Sequence, residues 1–397
     1  MRFSLFAIIL LLIVNLCVDY YIFRICRKRF HAKWLNVGNI AMAVLGFLLV
    51  VAIISFPLRS HNDSVFRALT WLMFIFFSIY VPKYIFCIFD WLAKIPCLFK
   101  HKRLKILSIA GAVLAVVICL SMWWGALFNR FNVNVKEVDV YIPGLPASFE
   151  NYRIAQISDF HLGTFGSDPS CPEKIVGTIN GLHPDMIVFT GDIVNRHADE
   201  IAPFIDTLAK LHASDGQYAV LGNHDYADYY FENTNERRAD VDKLADYYSR
   251  TSLNLLRDSH IVIHRQADSI ALIGVENIGR PPFPAYGSLK AAYPTPGDSV
   301  TKILLSHDPA HWLDSIANNQ ANNIALTLAG HTHAAQMKIG RISPSAVIHR
   351  KAWAGLYSDN DSTFKRQLYI NIGLGTVGLP MRLGATPEIT ILTLHRQ

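Results

Sequence analysis

The sequence predicts an α/β sandwich domain preceded by an α-helical membrane region. Three observations lead there. Four long apolar runs fill residues 1–128, and short β-branched runs alternate with helical stretches from about residue 130 onward. Charge is also divided unevenly. Residues 1–128 hold 14 Lys/Arg against three acids (Asp19, Asp63 and Asp90), leaving 23 basic and 28 acidic residues for the remainder. The formal +6 is thus +11 in the first third and −5 in the rest. A pI of 8.9 therefore marks no nucleic-acid binder, and no nucleic-acid partner is expected. The surplus basic charge lies between apolar runs, as in a membrane protein. The expected domains are 1–128 and 129–397.

The apolar runs cover about 3–23, 38–56, 68–89 and 106–128. Each is near the ~20 residues that a helix needs to cross the hydrocarbon core. The second and fourth carry no charged residue; the first contains Asn15 and Asp19, and the third Pro82 and Lys83. The first run is read as a retained span, because a cleaved signal peptide has its basic residues before the apolar stretch. Here only Arg2 precedes it, and the basic cluster follows. Loop 24–34 carries Arg24, Arg27, Lys28, Arg29 and Lys33, and loop 90–105 carries Lys94, Lys100, Lys102, Arg103 and Lys105 against Asp90. Loop 57–67 carries only Arg59, Arg67 and Asp63. The excess of Lys/Arg on cytoplasmic loops then puts the first and third loops inside, and everything after residue 128 outside. The expectation is a multi-pass protein of the cell (inner) membrane, in contact with its lipids, with an extracytoplasmic domain. Trp123 and Trp124 suit the outer headgroup level.

In the remainder, strands are expected at 152–158, 185–191, 217–222, 261–265, 270–275, 302–307, 323–330, 366–372 and 388–394. Helices are expected at 170–182, 199–212, 236–250 and 309–318. The alternation argues for sheets covered on both faces. Residues 279–297, rich in Pro and Gly, form the longest expected loop. Only Cys171 lies in this part, so no disulfide can form within it.

Polar residues recur at the strand ends. Asp159 and His161 follow one strand, and Asp192 and Asn195 another. Asn223, His224 and Asp225 follow a third, His307 and Asp308 a fourth, and His331 and His333 a fifth. The carboxyl ends of strands are where α/β sheets assemble sites. Side chains two apart on extended backbone point the same way, so Asp159 and His161 can share a target, as can His331 and His333. Each motif alone is weak; the ordered set of five is specific. Imidazole, carboxylate and amide oxygen suit Mn, Fe, Zn or Ni better than Ca or Mg. The donors are too many for one ion, and one carboxylate, Asp192, could bridge two. Two cations about 3.5–4 Å apart polarise a phosphoryl oxygen and activate a bridging hydroxide for in-line attack. The chain has neither a G-x-S-x-G elbow nor a G-x-x-x-x-G-K-[ST] loop.

Asp159-Phe160-His161, Gly191-Asp192, Gly222-Asn223-His224-Asp225, Ser306-His307 and Gly330-His331-Thr332-His333 resemble, in order, the motifs of the calcineurin-like metallophosphoesterases. The resemblance covers about 135–397. The closing stretch from Ile370 to Leu394 looks like the membrane-associated, YkuE-like phosphodiesterase branch. It implies a four-layer αββα sandwich of two mixed sheets. It implies Asp159, His161 and His333 as ligands of one metal, Asn223, His307 and His331 as ligands of a second, and Asp192 as the bridge. His224 then corresponds to the histidine that contacts phosphate and protonates the leaving group. Asp225 is expected to orient His224, with a metal ligand as the alternative. Arg382 is a candidate substrate contact, with a solvated arginine as the alternative. The aromatic run 225–231 forms a pocket wall or covers the sheet. Ala334 and Ala335 stand where relatives carry Gly-Gly, and their methyls are expected to narrow the substrate channel.

The function expected is a membrane-anchored, dinuclear-metal phosphoesterase acting on a phosphodiester or pyrophosphate, with an envelope or lipid-linked ester favoured by the membrane attachment. Two alternatives remain open: a hydrolase like the UDP-sugar-lipid pyrophosphatases, and a sensor that binds metal or phosphate without turnover. A transporter finds thin support in Asn15 and Asp19.

Overall fold

The computed structural model describes residues 4–29, 33–56, 60–281, 284–294, 299–317, 319, 322–348, 352–359 and 364–397. Arg59, residues 30–32 of the first basic loop, and residues 282–283 and 295–297 of the expected long loop lie outside the described residues. The chain divides into two compact units. One holds Met1–Leu127 with Gly378–Met381, and the other Phe128–Val377 with Arg382–Gln397.

In the first unit, four helices span Leu5–Arg29, Lys33–Ser55, Asp63–Leu92 and Lys105–Leu127. All four are long and apolar enough to cross a membrane. Asn62 caps the third, its side chain accepting from Ser64 N and Val65 N. The polar residues within the spans are paired across helices, which is how an apolar medium tolerates them. Buried Asp19 accepts from Tyr80 Oη at 2.9 Å and from Lys83 Nζ at 2.6 Å. Tyr84 Oη donates to Asn15 Oδ1. Asp90, fully buried, is met by Tyr21 Oη at 2.7 Å, Lys94 at 3.3 Å and Arg103. Gly46 permits the close approach of Tyr80, since a Cβ there would collide with the phenol ring.

The second unit has twelve strands among its described residues: β1 (Asn134–Ile142), β2 (Tyr152–Ile157), β3 (Met186–Phe189), β4 (Gln217–Ala219), β5 (Asn254–Leu255), β6 (Ser259–Arg265), β7 (Asp268–Gly274), β8 (Thr301–Leu305), β9 (Ile324–Ala329), β10 (Gly355–Ser358), β11 (Gln367–Ile370) and β12 (Glu388–Arg396). They form two six-stranded mixed sheets, ordered β1-β12-β2-β3-β4-β5 and β10-β11-β9-β8-β7-β6. β2, β3, β4 and β5 run parallel, as do β7, β8, β9 and β11.

Alternation along the strands builds the layers. Ile154, Met186 and Val188 of the first sheet share one core with Leu272, Ile303, Leu305 and Leu328 of the second, so the sheets stack face to face. The intervening residues Ile157, Ile187 and Phe189 turn the other way. They pack on Ile175 and Ile179 of helix Ser170–Gly181 and on Leu244 and Tyr248 of helix Thr234–Ser249. On the far side Leu304 and Ile370 pack on Trp312 and Ile316. The architecture is the αββα sandwich.

Some elements depart from the expectation. The helix expected over 199–212 is a 3-10 segment, Ala198–Phe204, with Pro203 inside, followed by one α-turn, Ile205–Leu208. Proline supplies no N–H and shortens the regular helix. Residues 309–318 become Pro309–His311 followed by a π-helical turn, Trp312–Ile316. Strands β1, β5 and β10 were not expected. β1 lies at a sheet edge, carries Lys136, Glu137 and Asp139, and pairs in parallel with β12 from the far end of the chain.

Candidate metal centre

The centre is built where β2, β3, β4, β8 and β9 end. The chain turns sharply after the strands, and Asp159, His161, Asp192, His331 and His333 all adopt left-handed backbone, with φ of 49°, 46°, 60°, 71° and 49°. Such conformations cost of order 1–3 kcal/mol each and persist only where the surroundings impose them. Here neighbouring loops do so. Asp159 N donates to Gly191 O at 2.8 Å, His161 N to Asp192 O at 3.1 Å and Leu162 N to Ile193 O at 2.9 Å. Gly222 allows the third loop to lie against the second, since a Cβ there would collide with Asp192 Oδ1.

Two groups of buried donors result. Asp159, His161, Asp192 and His333 offer ligand atoms within 4.8 Å of one another, and so do Asp192, His307 and His331. Asp192 belongs to both. In the first group His333 Nε2 lies 3.1 Å from Asp159 Oδ1 and 3.1 Å from His161 Nε2. In the second, Asp192 Oδ2 lies 3.2 Å from His307 Nε2, and His331 Nδ1 lies 3.3 Å from that same nitrogen. Asn223 Oδ1 joins this group at 2.8 Å from His331 Nδ1.

Backbone carbonyls set the imidazole protons. His161 Nδ1 bonds Val194 O at 3.1 Å, and His307 Nδ1 bonds Thr190 O at 2.7 Å. A carbonyl only accepts, so each Nδ1 carries a proton and each ring turns its Nε2 inward, where the lone pair is available whenever the ring is neutral. His331 is reversed: its Nδ1 faces the group and its Nε2 faces Asp308 Oδ2 at 3.8 Å. His224 bonds Asn195 O through Nδ1 at 2.6 Å, and its backbone N–H donates to Asp192 Oδ1 at 2.8 Å.

The electrostatics fit a cation. Burial alone would raise Asp159 and Asp192, but the facing histidines outweigh it and hold both carboxyls well below the usual range. Burial pushes His161 well down and His331 to about 4, so both are neutral. Burial pushes His307 down as well, yet the Asp192 and Asp159 carboxylates win and lift it to about 10. Without a cation the centre thus holds buried carboxylates, a histidinium and further imidazole nitrogens turned inward. Imidazole with carboxylate is a donor set for a transition metal, and the residues fit divalent cations.

The structure brings Asp159, His161, Asp192, Asn223, His307, His331 and His333 together, with His224 beside them, its ring 4.9 Å from that of His161. Other expectations are corrected. Asp225 does not hold the His224 ring. It is fully buried and accepts from the N–H groups of Asp192 at 2.8 Å, Gly222 at 2.9 Å and Val194 at 3.2 Å, fixing the loop that carries Asp192. Arg382 is neither solvated nor turned toward substrate. It is fully buried, its guanidinium bonding the carbonyls of Gly375, Ile372 and Ala385 and reaching His333 Nδ1 at 3.2 Å. The Ala334 methyl narrows no channel, because Ala334 is buried against Ile372 and Ala385. Ala334 and Ala335 both have φ of 50°, which is where glycine is favoured. The aromatic run divides: Tyr226 lines a cavity of about 470 Å³ with Asp228, Arg257, Glu276 and Tyr286, while Tyr230 stacks on His197.

Two participants were not foreseen in the roles they take. Tyr229 packs its ring on His224 and accepts from Asn223 Nδ2. Buried His311 bonds Ser306 Oγ at 2.9 Å beside the His307 loop. Their spacing resembles no ligand pattern, though both lie next to motif residues.

Residues 1–130 match the family described as probable calcineurin-like phosphoesterase, transmembrane domain, and residues 152–335 the family described as calcineurin-like phosphoesterase. The chain is 28% identical over 305 residues to a transmembrane protein with metallophosphoesterase domain from Danio rerio, covering 73% of this chain and 64% of that one. It is 29% identical over 256 residues to the metallophosphoesterase YkuE of Bacillus subtilis, covering 63% and 81%. A metallophosphoesterase of Campylobacter jejuni is 26% identical over 406 residues, 99% of each chain. This chain spans just under two thirds of the zebrafish relative's own length.

Proposed function

We propose that this chain, which belongs to the calcineurin-like metallophosphoesterases, is a membrane-anchored hydrolase that cleaves a phosphodiester or pyrophosphate at a two-cation centre. The observation that carries the reading is Asp192, a buried carboxylate common to both donor groups. In this reading Asp159, His161 and His333 hold one cation, Asn223, His307 and His331 the other, and Asp192 bridges. Bound there, two divalent cations polarise a phosphoryl oxygen and make water an ionised nucleophile at neutral pH.

The chain's own residues do the rest. Val194 O and Thr190 O keep His161 and His307 in the tautomer that presents Nε2. Asp225 holds the Asp192 backbone so that its carboxylate faces both groups. His224, anchored through Nδ1 to Asn195 O, keeps Nε2 for a phosphoryl oxygen and for the proton that the leaving oxygen takes. Arg382 braces His333 from behind.

The basic loops around Arg27 and Lys102 support an extracytoplasmic hydrolytic domain. An ester of the envelope or a lipid-linked phosphate is the substrate class that suits such an anchor. The test is a screen of the full chain against phosphomonoesters, phosphodiesters and lipid pyrophosphates with Mn²⁺, Fe²⁺ and Zn²⁺. Cleavage of a diester or pyrophosphate is the expected result. Metal binding without turnover of any ester would replace the hydrolase with a sensor. Protease access in intact cells against inverted vesicles tests the orientation.

A further inference from the structure

The aromatic run leaves one ring exposed at the rim of the centre. Tyr229 is 39% exposed, its ring centroid 4.5 Å from that of His224 at an interplanar angle of 33°. Its hydroxyl oxygen accepts from Asn223 Nδ2 at 3.3 Å. The two ends of that amide have opposite chemistry: the oxygen carries lone pairs, and the nitrogen only donates. The oxygen faces His331 Nδ1 at 2.8 Å, and that nitrogen faces His307 Nε2 at 3.3 Å. Turned over, the amide would present N–H groups to this cluster and would repel a cation. Among the described residues, Tyr229 is the group that takes the Asn223 nitrogen, so it selects which end faces inward.

We infer that Tyr229 is a positioning residue of the metal centre. Its hydroxyl fixes the Asn223 amide with the oxygen inward, and its ring limits rotation of the His224 imidazole. The inference rests on the reading of Asn223 as a ligand. It assigns a role to a residue outside the five strand-end motifs. Partners that orient a metal ligand characteristically change affinity about 10–100-fold when removed.

The experiment measures Mn²⁺ binding to the metal-depleted full chain in detergent, by calorimetry and by electron paramagnetic resonance, alongside thermal unfolding. Tyr229→Phe keeps the ring and removes the hydroxyl. The expected result is a loss of about tenfold in affinity for one of the two cations, with the other unchanged and the unfolding temperature of the metal-free protein unaltered. Tyr229→Leu should add a rise in KM through the freed His224. Wild-type affinity for both cations in Tyr229→Phe overturns the inference. Asn223→Ala separates the two levels. If it too binds both cations as wild type does, Asn223 is no ligand, and the ligand assignment fails with the inference. If it loses one cation while Tyr229→Phe loses none, only the positioning role fails.

Discussion

Loading the metal-free protein with divalent cation at pH 7.5 should release close to two protons, one from the protein and one from the water that the cations ionise. The perturbation is the metal itself, and the protein's share of the count follows from the histidines. His161 and His331 are held neutral by burial, with His331 at about 4, so neither adds to the release at this pH: His161 already presents a bare Nε2, and the His331 Nδ1 proton, which donates to Asn223 Oδ1, passes to Nε2 beside Asp308. His307 differs: Asp192 and Asp159 outweigh burial and lift it to about 10, so it is a histidinium in the metal-free state. Its Nδ1 keeps its proton, donated to Thr190 O, and the proton displaced is the one on Nε2, which faces Asp192 Oδ2 at 3.2 Å. A cation that must displace one proton gains about tenfold in apparent affinity per pH unit below about 10. Calorimetric titration in buffers of different ionisation enthalpy reads the proton count directly. A total of one proton or fewer, or affinity independent of pH between 6 and 8, would refute the reasoning. The same shift has a stability consequence without metal. A histidine raised in the folded state stabilises it fully below about 6.5, its ordinary value, and that contribution is lost as pH rises through about 10.

Asp225→Asn keeps one acceptor oxygen and turns an NH₂ toward a backbone N–H that the carboxylate had satisfied. It should cost about 1–3 kcal/mol, while Asp225→Ala, which abandons the N–H groups of Asp192, Gly222 and Val194, should cost more than twice that. Equal effects in thermal unfolding would contradict the three-bond role. Ala335→Gly should stabilise by about 0.5–1 kcal/mol, because relief of left-handed strain exceeds the added freedom of the unfolded chain, and a lowered Tm would refute it. Lys83→Met should destabilise the membrane unit by about 3 kcal/mol or more, and adding Asp19→Leu should recover most of that, because the cost lies in the unpaired buried carboxylate. A double variant worse than either single one would count against the pairing.

The fold was legible wherever a strand is buried on both faces. β3 reads as a continuous apolar run and β2, β8 and β9 as short runs that are mostly apolar, and the residues just past their ends are those the structure gathers. β1 was not legible because it lies at an edge, alternates charge with valine, and takes its register from β12. Ligand-type side chains could be picked out because their chemistry is rare after a strand. The atoms that orient them could not, since Val194 O and Thr190 O are carbonyls and every residue has one. Arg382 was misread for a related reason: an arginine near a phosphate site reads as an anion contact, and only packing reveals that carbonyls surround it. Asp225 stands next to His224 in sequence, but its carboxylate turns back toward the Asp192 loop.

The central claim is that one buried carboxylate, Asp192, serves two cations. Metal content and phosphodiester hydrolysis of full-length Asp192→Asn test it most directly, measured beside the parent after loading with Mn²⁺. Two cations per parent chain, at most one in the variant, and hydrolysis abolished is the predicted result. Two cations retained with undiminished hydrolysis would contradict it.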